Sequence, residues 1–262
     1  MPKKPWVESP YVDGVMSVDL KRWAYFDDYI REEMLDFRNF IWRGQAAAEW
    51  PLESTLDRIL RRQGRADDVA IREEHLRRFK FSTRGRRGRN PARFDNDNDW
   101  WALGQHYGLA TPLLDWSTSP FVAAYFSYVS EDNEGDQRRA VFGLSRTAVF
   151  RKSNEIASKW KKKSRPPIVE LVEPRSDENA RLVSQGGLFT RAPDGVNVDD
   201  WVRQNFAGVT DYVRILKITV PNAQRAVALR SLNRMNINHL SLFPDLVGAS
   251  TFANIDLLIE KY

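Results

Sequence analysis

Residues 100–126, WWALGQHYGLATPLLDWSTSPFVAAYF, decide how the rest of this 262-residue chain is read. Residues 100–107 carry apolar side chains at helical spacing and Gly108 supplies a stop, so the stretch predicts a helix. Leu113-Leu114-Asp115-Trp116 predicts a strand. It runs straight into Ser117-Thr118-Ser119-Pro120, where serine before proline starts a helix through 121–126. Upstream, Phe40-Ile41-Trp42 reads as a short strand ending at Arg43-Gly44-Gln45, and residues 66–81 read as a helix. From Ser17 onward, Leu20, Trp23, Phe26, Ile30, Met34 and Phe37 recur every three to four positions and predict a helix of about five turns. Residues 1–14 read as an irregular lead-in. Downstream, strands are expected at 139–144, 168–172, 186–190, 213–220 and 239–243, with helices near 148–160 and 222–235. Short strands interrupted by helices indicate an α+β fold around a mixed, mostly antiparallel sheet. The expected organisation is a lead-in and helix over 1–34 and a single domain over 35–262.

Composition narrows the chemistry. The chain has no cysteine, which excludes disulfides, a thiolate nucleophile and a Cys-built zinc or iron–sulfur site. His75, His106 and His239 form no metal-binding pair, and no metal is expected. The start leads into no apolar signal segment, and no apolar run is long enough to span a bilayer, so a cytoplasmic protein without membrane contact is expected. Net charge is +5, and residues 77–93 alone carry eight cations (Arg77, Arg78, Lys80, Arg84, Arg86, Arg87, Arg89, Arg93) and no acid. Without that stretch the net charge would be −3. Such a concentration suits a polyanion through phosphate contacts and counterion release, and the arginine density favours nucleic acid. A second run at 159–165 is read equally well as a solvated loop.

Common nucleotide and hydrolase signatures, GxxxxGK[ST], GxGxxG and GxSxG, are absent. Asp95-Asn-Asp97-Asn-Asp99 begins like a calcium loop, but Trp100 and His106 stand where glycine and glutamate are required. Four other segments stand out in order: Trp42-Arg43-Gly44-Gln45; Gln105-His106-Tyr107-Gly108-Leu109 with Leu114-Asp115-Trp116-Ser117-Thr118-Ser119-Pro120; Asn179 to Phe189 with Arg181 and Gln185-Gly186-Gly187; and Leu242-Phe243-Pro244-Asp245-Leu246-Val247-Gly248. Together they resemble the FRG domain family over roughly residues 35–250. Trp42, Ala110, Pro112 and Val247 depart from the family's usual residues.

The resemblance implies an ADP-ribosyltransferase-like fold and an NAD-dependent enzyme of bacterial toxin or antiphage defence contexts. It also implies an antitoxin partner. Breaking a nicotinamide–ribose bond develops oxocarbenium character, which calls for a cation on phosphate or ribose, orienting hydroxyls, an aromatic wall and a carboxylate. By analogy with transferases of the Arg-Ser-Glu type, Arg43 would hold the NAD phosphate or ribose and Ser117 and Thr118 would orient it. His106 and Tyr107 would line the pocket, and Asp245 would be the charge-stabilising carboxylate, with Glu170 and Glu173 in reserve. Gly44, Gln45, Gln105, Ser119 and Gln185 complete the expected NAD contacts, while Arg84, Arg86, Arg87, Arg89 and Arg93 would engage the acceptor, RNA in preference to DNA, or else a protein.

Each element also has a purely architectural reading. Arg43-Gly44 would be a salt-bridged turn, Ser119-Pro120 a helix cap, Gln185-Gly186-Gly187 a bulge, Asp245 a turn former, His106 a structural hydrogen-bonder and Tyr107 a core residue. Two other functions therefore compete: a non-catalytic nucleic-acid or nucleotide-binding module that recruits a partner, and a metal-dependent nuclease.

Overall fold

A computed structural model describes residues 4–88, 91, 93–130, 138–173 and 180–262. Its eight strands are β1 (Trp6–Glu8), β2 (Val15–Leu20), β3 (Phe40–Gln45), β4 (Leu113–Ser117), β5 (Arg138–Ser145), β6 (Glu170–Val172), β7 (Gly187–Arg191) and β8 (Ile215–Pro221). They form one sheet in the order β1-β2-β8-β5-β3-β4-β7-β6. Only β2 and β8 are parallel neighbours; every other pair is antiparallel. The fold is therefore α+β around a mixed, mostly antiparallel sheet, as the sequence predicts.

The helices are α1 (Ala24–Tyr29), α2 (Thr55–Arg62), α3 (Val69–Ser82), α4 (Asp97–His106), α5 (Pro120–Val129), α6 (Arg146–Lys159), α7 (Ala180–Ser184), α8 (Val198–Asn205), α9 (Arg225–Arg234), α10 (His239–Leu242) and α11 (Leu246–Leu258). Alternation along the central strands divides the core in two. Phe40, Trp42 and Val141 join Phe26, Ala124, Tyr125 and Leu229 on one face. Ile41, Ala140, Phe142 and Leu144 join Val149 and Trp201 on the other. A satellite cluster of Leu56, Leu60, Leu76 and Trp101 seats α2, α3 and α4 against Leu113 and Phe189. Each large apolar side chain buried as fully as Phe26 contributes roughly 1.5–3 kcal/mol.

One contact fixes the ground plan of the cleft described below. Helix α5 starts at Ser119, whose side chain accepts from the Val122 N–H, with Pro120 in the first turn. Its backbone then lies directly on β3 at Gly44. A Cβ there would stand 1.8 Å from the Ala123 carbonyl oxygen and 2.6 Å from the Ser127 nitrogen. Only glycine permits that approach.

Three expectations are corrected. Residues 4–20 hold two strands, β1 and β2, joined at one edge of the sheet, rather than an irregular lead-in followed by a helix. The three-to-four spacing is real only from Trp23 onward. In Val15–Leu20 a period of two wins: Val18 and Leu20 are buried while Ser17 and Asp19 are not. The helix that follows α1 also widens into a π-helical turn at Ile30–Met34. Residues 239–243 are the short helix α10 instead of a strand. Asn238 accepts from the Ser241 N–H and Ser241 reciprocates, a capping box that overrides the brief apolar run.

Candidate active site

Strand β3 is bonded unequally on its two sides. With β5 it pairs at all six positions from Phe40 to Gln45; with β4 it pairs only at Trp42 and Ser117. Past that one pair the strands diverge, and the backbone acceptors so released need new donors. Arg43 supplies one: its Nη1 donates to the Asp115 carbonyl oxygen at 2.9 Å. The divergence opens a cleft of about 380 Å³ lined by Trp42, Arg43, Gly44, Asp115, Trp116, Ser117, Phe126, Gln185 and Phe243. Residues as distant along the chain as Trp42 and Phe243 thus meet in one depression.

Arg43 is its electrostatic centre. The side chain is 23% exposed, and its Nη1 lies 3.8 Å from the Asp115 carboxylate, too long for a direct hydrogen bond. Its Nε is buried and has no hydrogen-bond partner among the described residues. Burial pulls the guanidinium below its ordinary pKa; Asp115 opposes this and the neighbouring Arg58 adds to it. Asp115 is itself aimed by a relay. Gln105 Nε2 donates to Asp115 Oδ2 at 2.7 Å, and the buried Thr111 hydroxyl donates to Gln105 Oε1. This relay explains why QHYG and LLDW belong together: a glutamine on the last turn of α4 orients the aspartate of β4.

The hydroxyl cluster is less available. Ser117 is 3% exposed; its Oγ donates to the Gln185 carbonyl at 2.7 Å and accepts from the Ser119 N–H at 3.0 Å. It lines the cleft but is already committed to holding β4 against the 185–187 turn. Ser119 caps α5, as its architectural reading required. Thr118 is exposed and faces a separate depression with Glu173, Arg146 and Gly186. Gln185, by contrast, lines the cleft and donates from Nε2 to the Leu242 carbonyl at 3.2 Å. Gly44 lines it as well, although α5 packing is what demands a glycine there.

The far wall is Phe243, with a charged cluster behind it. The Arg181 guanidinium lies over the Phe243 ring at 5.2 Å and pairs with Asp245 at 2.5 Å. Asp245 caps α11 by accepting from the Gly248 N–H at 2.8 Å, and this bond, with Arg181, holds its carboxyl below the usual range. Asp245 is not among the residues lining the cleft. His239 stacks on Phe243 at 4.1 Å, and its Nδ1 meets the Tyr125 hydroxyl at 3.1 Å. Burial and Arg181 push both His239 and His106 below the ordinary histidine value, with Asp245 opposing. Among the described residues His106 has no hydrogen-bond partner; it meets Tyr107 edge-on at 4.8 Å. Tyr107 is 71% exposed, so its core reading is corrected: as the last residue before Gly108 it turns outward from α4.

The reserve carboxylates serve elsewhere. Glu170 binds Arg165 at 2.7 Å and Asn98 at 2.8 Å. Glu173 pairs with Arg146. Among the described residues no group of three or more His, Asp or Glu side chains is placed to hold a metal. Among the described residues no helix is long and apolar enough to cross a membrane.

The basic segment forms the end of α3 and the turns after it. A groove of about 440 Å³ there is lined by Arg77, Lys80, Phe81, Arg84, Arg87 and Trp100. Arg84 stacks on Phe81 at 4.9 Å, and Arg87 lies over Phe94 at 4.0 Å and Trp100 at 5.0 Å. Three cations are partly neutralised: Arg77 and Arg78 by Glu74, and Lys80 by Asp97. Arg86 and Arg93 are exposed, and Arg89 and Asn179 lie outside the described residues. Trp100 and Gln105 sit on the same helix, roughly 8 Å apart in rise, so α4 links this groove to the mouth of the cleft.

Sequence reasoning missed Asp115 and Phe243 as site residues. It also missed a second cleft of about 620 Å³ beyond Gly44, which shares Arg43, Gly44 and Phe126 with the first and adds Gln45, Trp50, Arg58, Arg61 and Arg62. The signal for Asp115 was present in its place within LLDWS as the one exposed residue of a buried strand, but only the fold pairs it with Gln105. No curated protein and no solved structure matches the chain. Residues 38–136 match the family model of the FRG domain. That span holds β3, the Gln105–Asp115 relay, β4 and α5, the elements that build the near half of the cleft, and the chain therefore carries an FRG domain.

Proposed function

We propose that this chain is an NAD-dependent ADP-ribosyltransferase with an ADP-ribosyltransferase-like fold, acting as a bacterial toxin or antiphage defence effector on nucleic acid, RNA in preference to DNA. The observation that carries the reading is the convergence of Arg43, Asp115, Ser117 and Phe243 at the divergence of β3 and β4. The reaction breaks the bond between the nicotinamide nitrogen and ribose C1′. The bonding pair leaves with the nicotinamide, which departs neutral, and C1′ takes a lone pair from the acceptor, whose proton passes to a base or to water.

The cleft supplies what that event needs. Arg43, with an unused buried Nε–H, faces the phosphate or ribose oxygens. Trp42, Phe126 and Phe243 offer aromatic walls for the nicotinamide ring. Asp115, aimed by Gln105, is the carboxylate nearest to where positive charge develops, and it takes the role first assigned to Asp245. Asp245, paired with Arg181, instead fixes the wall that carries Phe243. Ser117 and Gln185 shape the floor; His106 is not among the residues lining the cleft, and burial and Arg181 favour its neutral imidazole. The groove of Arg84 and Arg87 would receive the acceptor strand. A toxin of this kind requires an antitoxin partner, and a cytoplasmic setting follows from the same reading.

One observation favours a second reading, a non-catalytic nucleotide-binding module: the Ser117 hydroxyl already has both a donor and an acceptor partner. Incubation with NAD labelled in the ADP-ribose portion, together with RNA, DNA or lysate, separates the two. The transferase releases nicotinamide and labels one fraction, and Arg43→Ala abolishes both. Unconsumed NAD with no labelled fraction leaves the binding module.

A further inference from the structure

The second cleft contains groups that do not line the cleft assigned to NAD: Arg58, Arg62, Trp50 and Gln45, the last of which the sequence reading had placed on NAD. Arg58 and Arg62, one helical turn apart on α2, both line it, and neither makes an ion pair among the described residues. Arg61, between them, is held by Glu53 through two bonds of 2.7 Å. Trp50 is 44% exposed, presenting an aromatic surface on the same cleft. Gln45 is only 6% exposed. Its Nε2 donates to the Pro51 carbonyl at 3.2 Å, while its Oε1 is buried with no partner among the described residues. A buried acceptor left unpaired is costly, so the site calls for a ligand that brings a donor. The cleft thus offers two unneutralised cations, a stacking surface and a waiting acceptor. An inorganic anion would satisfy only the first of these. A nucleotide satisfies all three, with its phosphate, its base and the N–H or O–H of an exocyclic amine or ribose hydroxyl.

We infer that this cleft binds one nucleotide of a single-stranded nucleic acid, with phosphate at Arg58 and Arg62, the base on Trp50 and a base amine or ribose hydroxyl donating to Gln45. This deepens the proposed function, on which it rests for the identity of the strand as acceptor: the shared residues Arg43 and Gly44 put the bound nucleotide next to the cleft assigned to NAD.

The test needs no NAD, so its failure is separable from that of the transferase reading. A fluorescein-labelled trinucleotide of RNA is titrated with the full chain by anisotropy. Arg58→Gln/Arg62→Gln is expected to weaken binding at least about tenfold and to flatten the dependence of log affinity on log salt by about 0.7, the value for one neutralised phosphate on a single strand. Trp50→Ala, at an exposed position where folding is not at stake, is expected to cost roughly tenfold through lost stacking. Lys161→Gln/Lys163→Gln removes the same charge elsewhere and should change affinity less than about twofold. Affinity unchanged in the Arg58/Arg62 variant, a loss no greater than in the lysine control, or a loss seen only with Arg84→Gln/Arg86→Gln would overturn the assignment.

Discussion

The two sides of β3 make the instructive comparison. Toward β5 the strand is fully zipped, and its partners Val141, Phe142 and Leu144 are buried. Toward β4 the ladder stops after one pair, and side chains take over what backbone bonding does elsewhere. The zipped side is a structural spine. The open side exposes directional polar groups that packing has not used up, and there a guanidinium, a relayed carboxylate and an aromatic ring face a common space. The same strand therefore supports the fold with one edge and offers chemistry with the other, and substitutions on each should fail differently.

The largest effect is expected where the two sides meet α5. Gly44→Ala would drive a methyl into the Ala123 carbonyl, backbone that cannot swing away, and should destabilise by about 3 kcal/mol or more, read by urea unfolding. Gly143→Ala, on the zipped side, meets side chains rather than backbone, the Trp42 ring at 2.9 Å and the Phe40 ring at 3.1 Å; a cost of about 1–2 kcal/mol is expected. Equal losses at the two glycines would break the contrast.

Next comes the open edge itself. Arg43→Ala should lower NAD turnover on the order of 10²-fold or more, with a melting temperature near that of the parent, since it removes a donor aimed at developing charge and only one exposed-edge backbone bond. If stability fell as far as activity, Arg43 would be a structural rivet. Gln105→Leu keeps the bulk but releases Asp115; roughly tenfold lower turnover is expected, with binding of NAD less affected, and steady-state kinetics would separate the two.

The smallest effect is a pH dependence. His239 and His106 have pKa values below the free histidine value of about 6.5, so the unfolded chain takes up more protons than the folded one. Stability should be full at neutral pH and decline as pH falls through about 6.5 towards the lowered folded values. His239→Phe should flatten that decline in a thermal melt series. It leaves the stack on Phe243 in place but loses the Tyr125 bond, so its stability at pH 7.5 should be lower than the parent's.

How much of this was legible follows from which interactions are local. Strand β4, its Ser-Pro helix start and the glycine stop after α4 were readable because capping and turn chemistry act within a few residues. Val15–Leu20 was misread because a three-to-four spacing that belongs to Trp23–Met34 can be extended backward through Leu20, and only its neighbours β1 and β8 make the segment a strand. Residues 239–243 were misread because an apolar run outweighed a single asparagine cap. The identity of the RG and QHYG–LLDW segments as site-builders was visible. The divergence of β3 from β4 was not, because pairing between residues as distant in the chain as Trp42 and Ser117 leaves no local trace. For the same reason Ser117 looked available when its hydroxyl is spent on Gln185, and Asp115 passed unnoticed although Gln105 aims it into the cleft.

The central claim is that the open edge of β3 holds a dinucleotide through Arg43, and calorimetric titration of NAD into the full chain and into Arg43→Ala tests it most directly. The account predicts saturable one-to-one binding to the parent that is lost in the variant while the variant's thermal melt stays intact. No heat of binding with the parent, or the same affinity in both proteins, would contradict it.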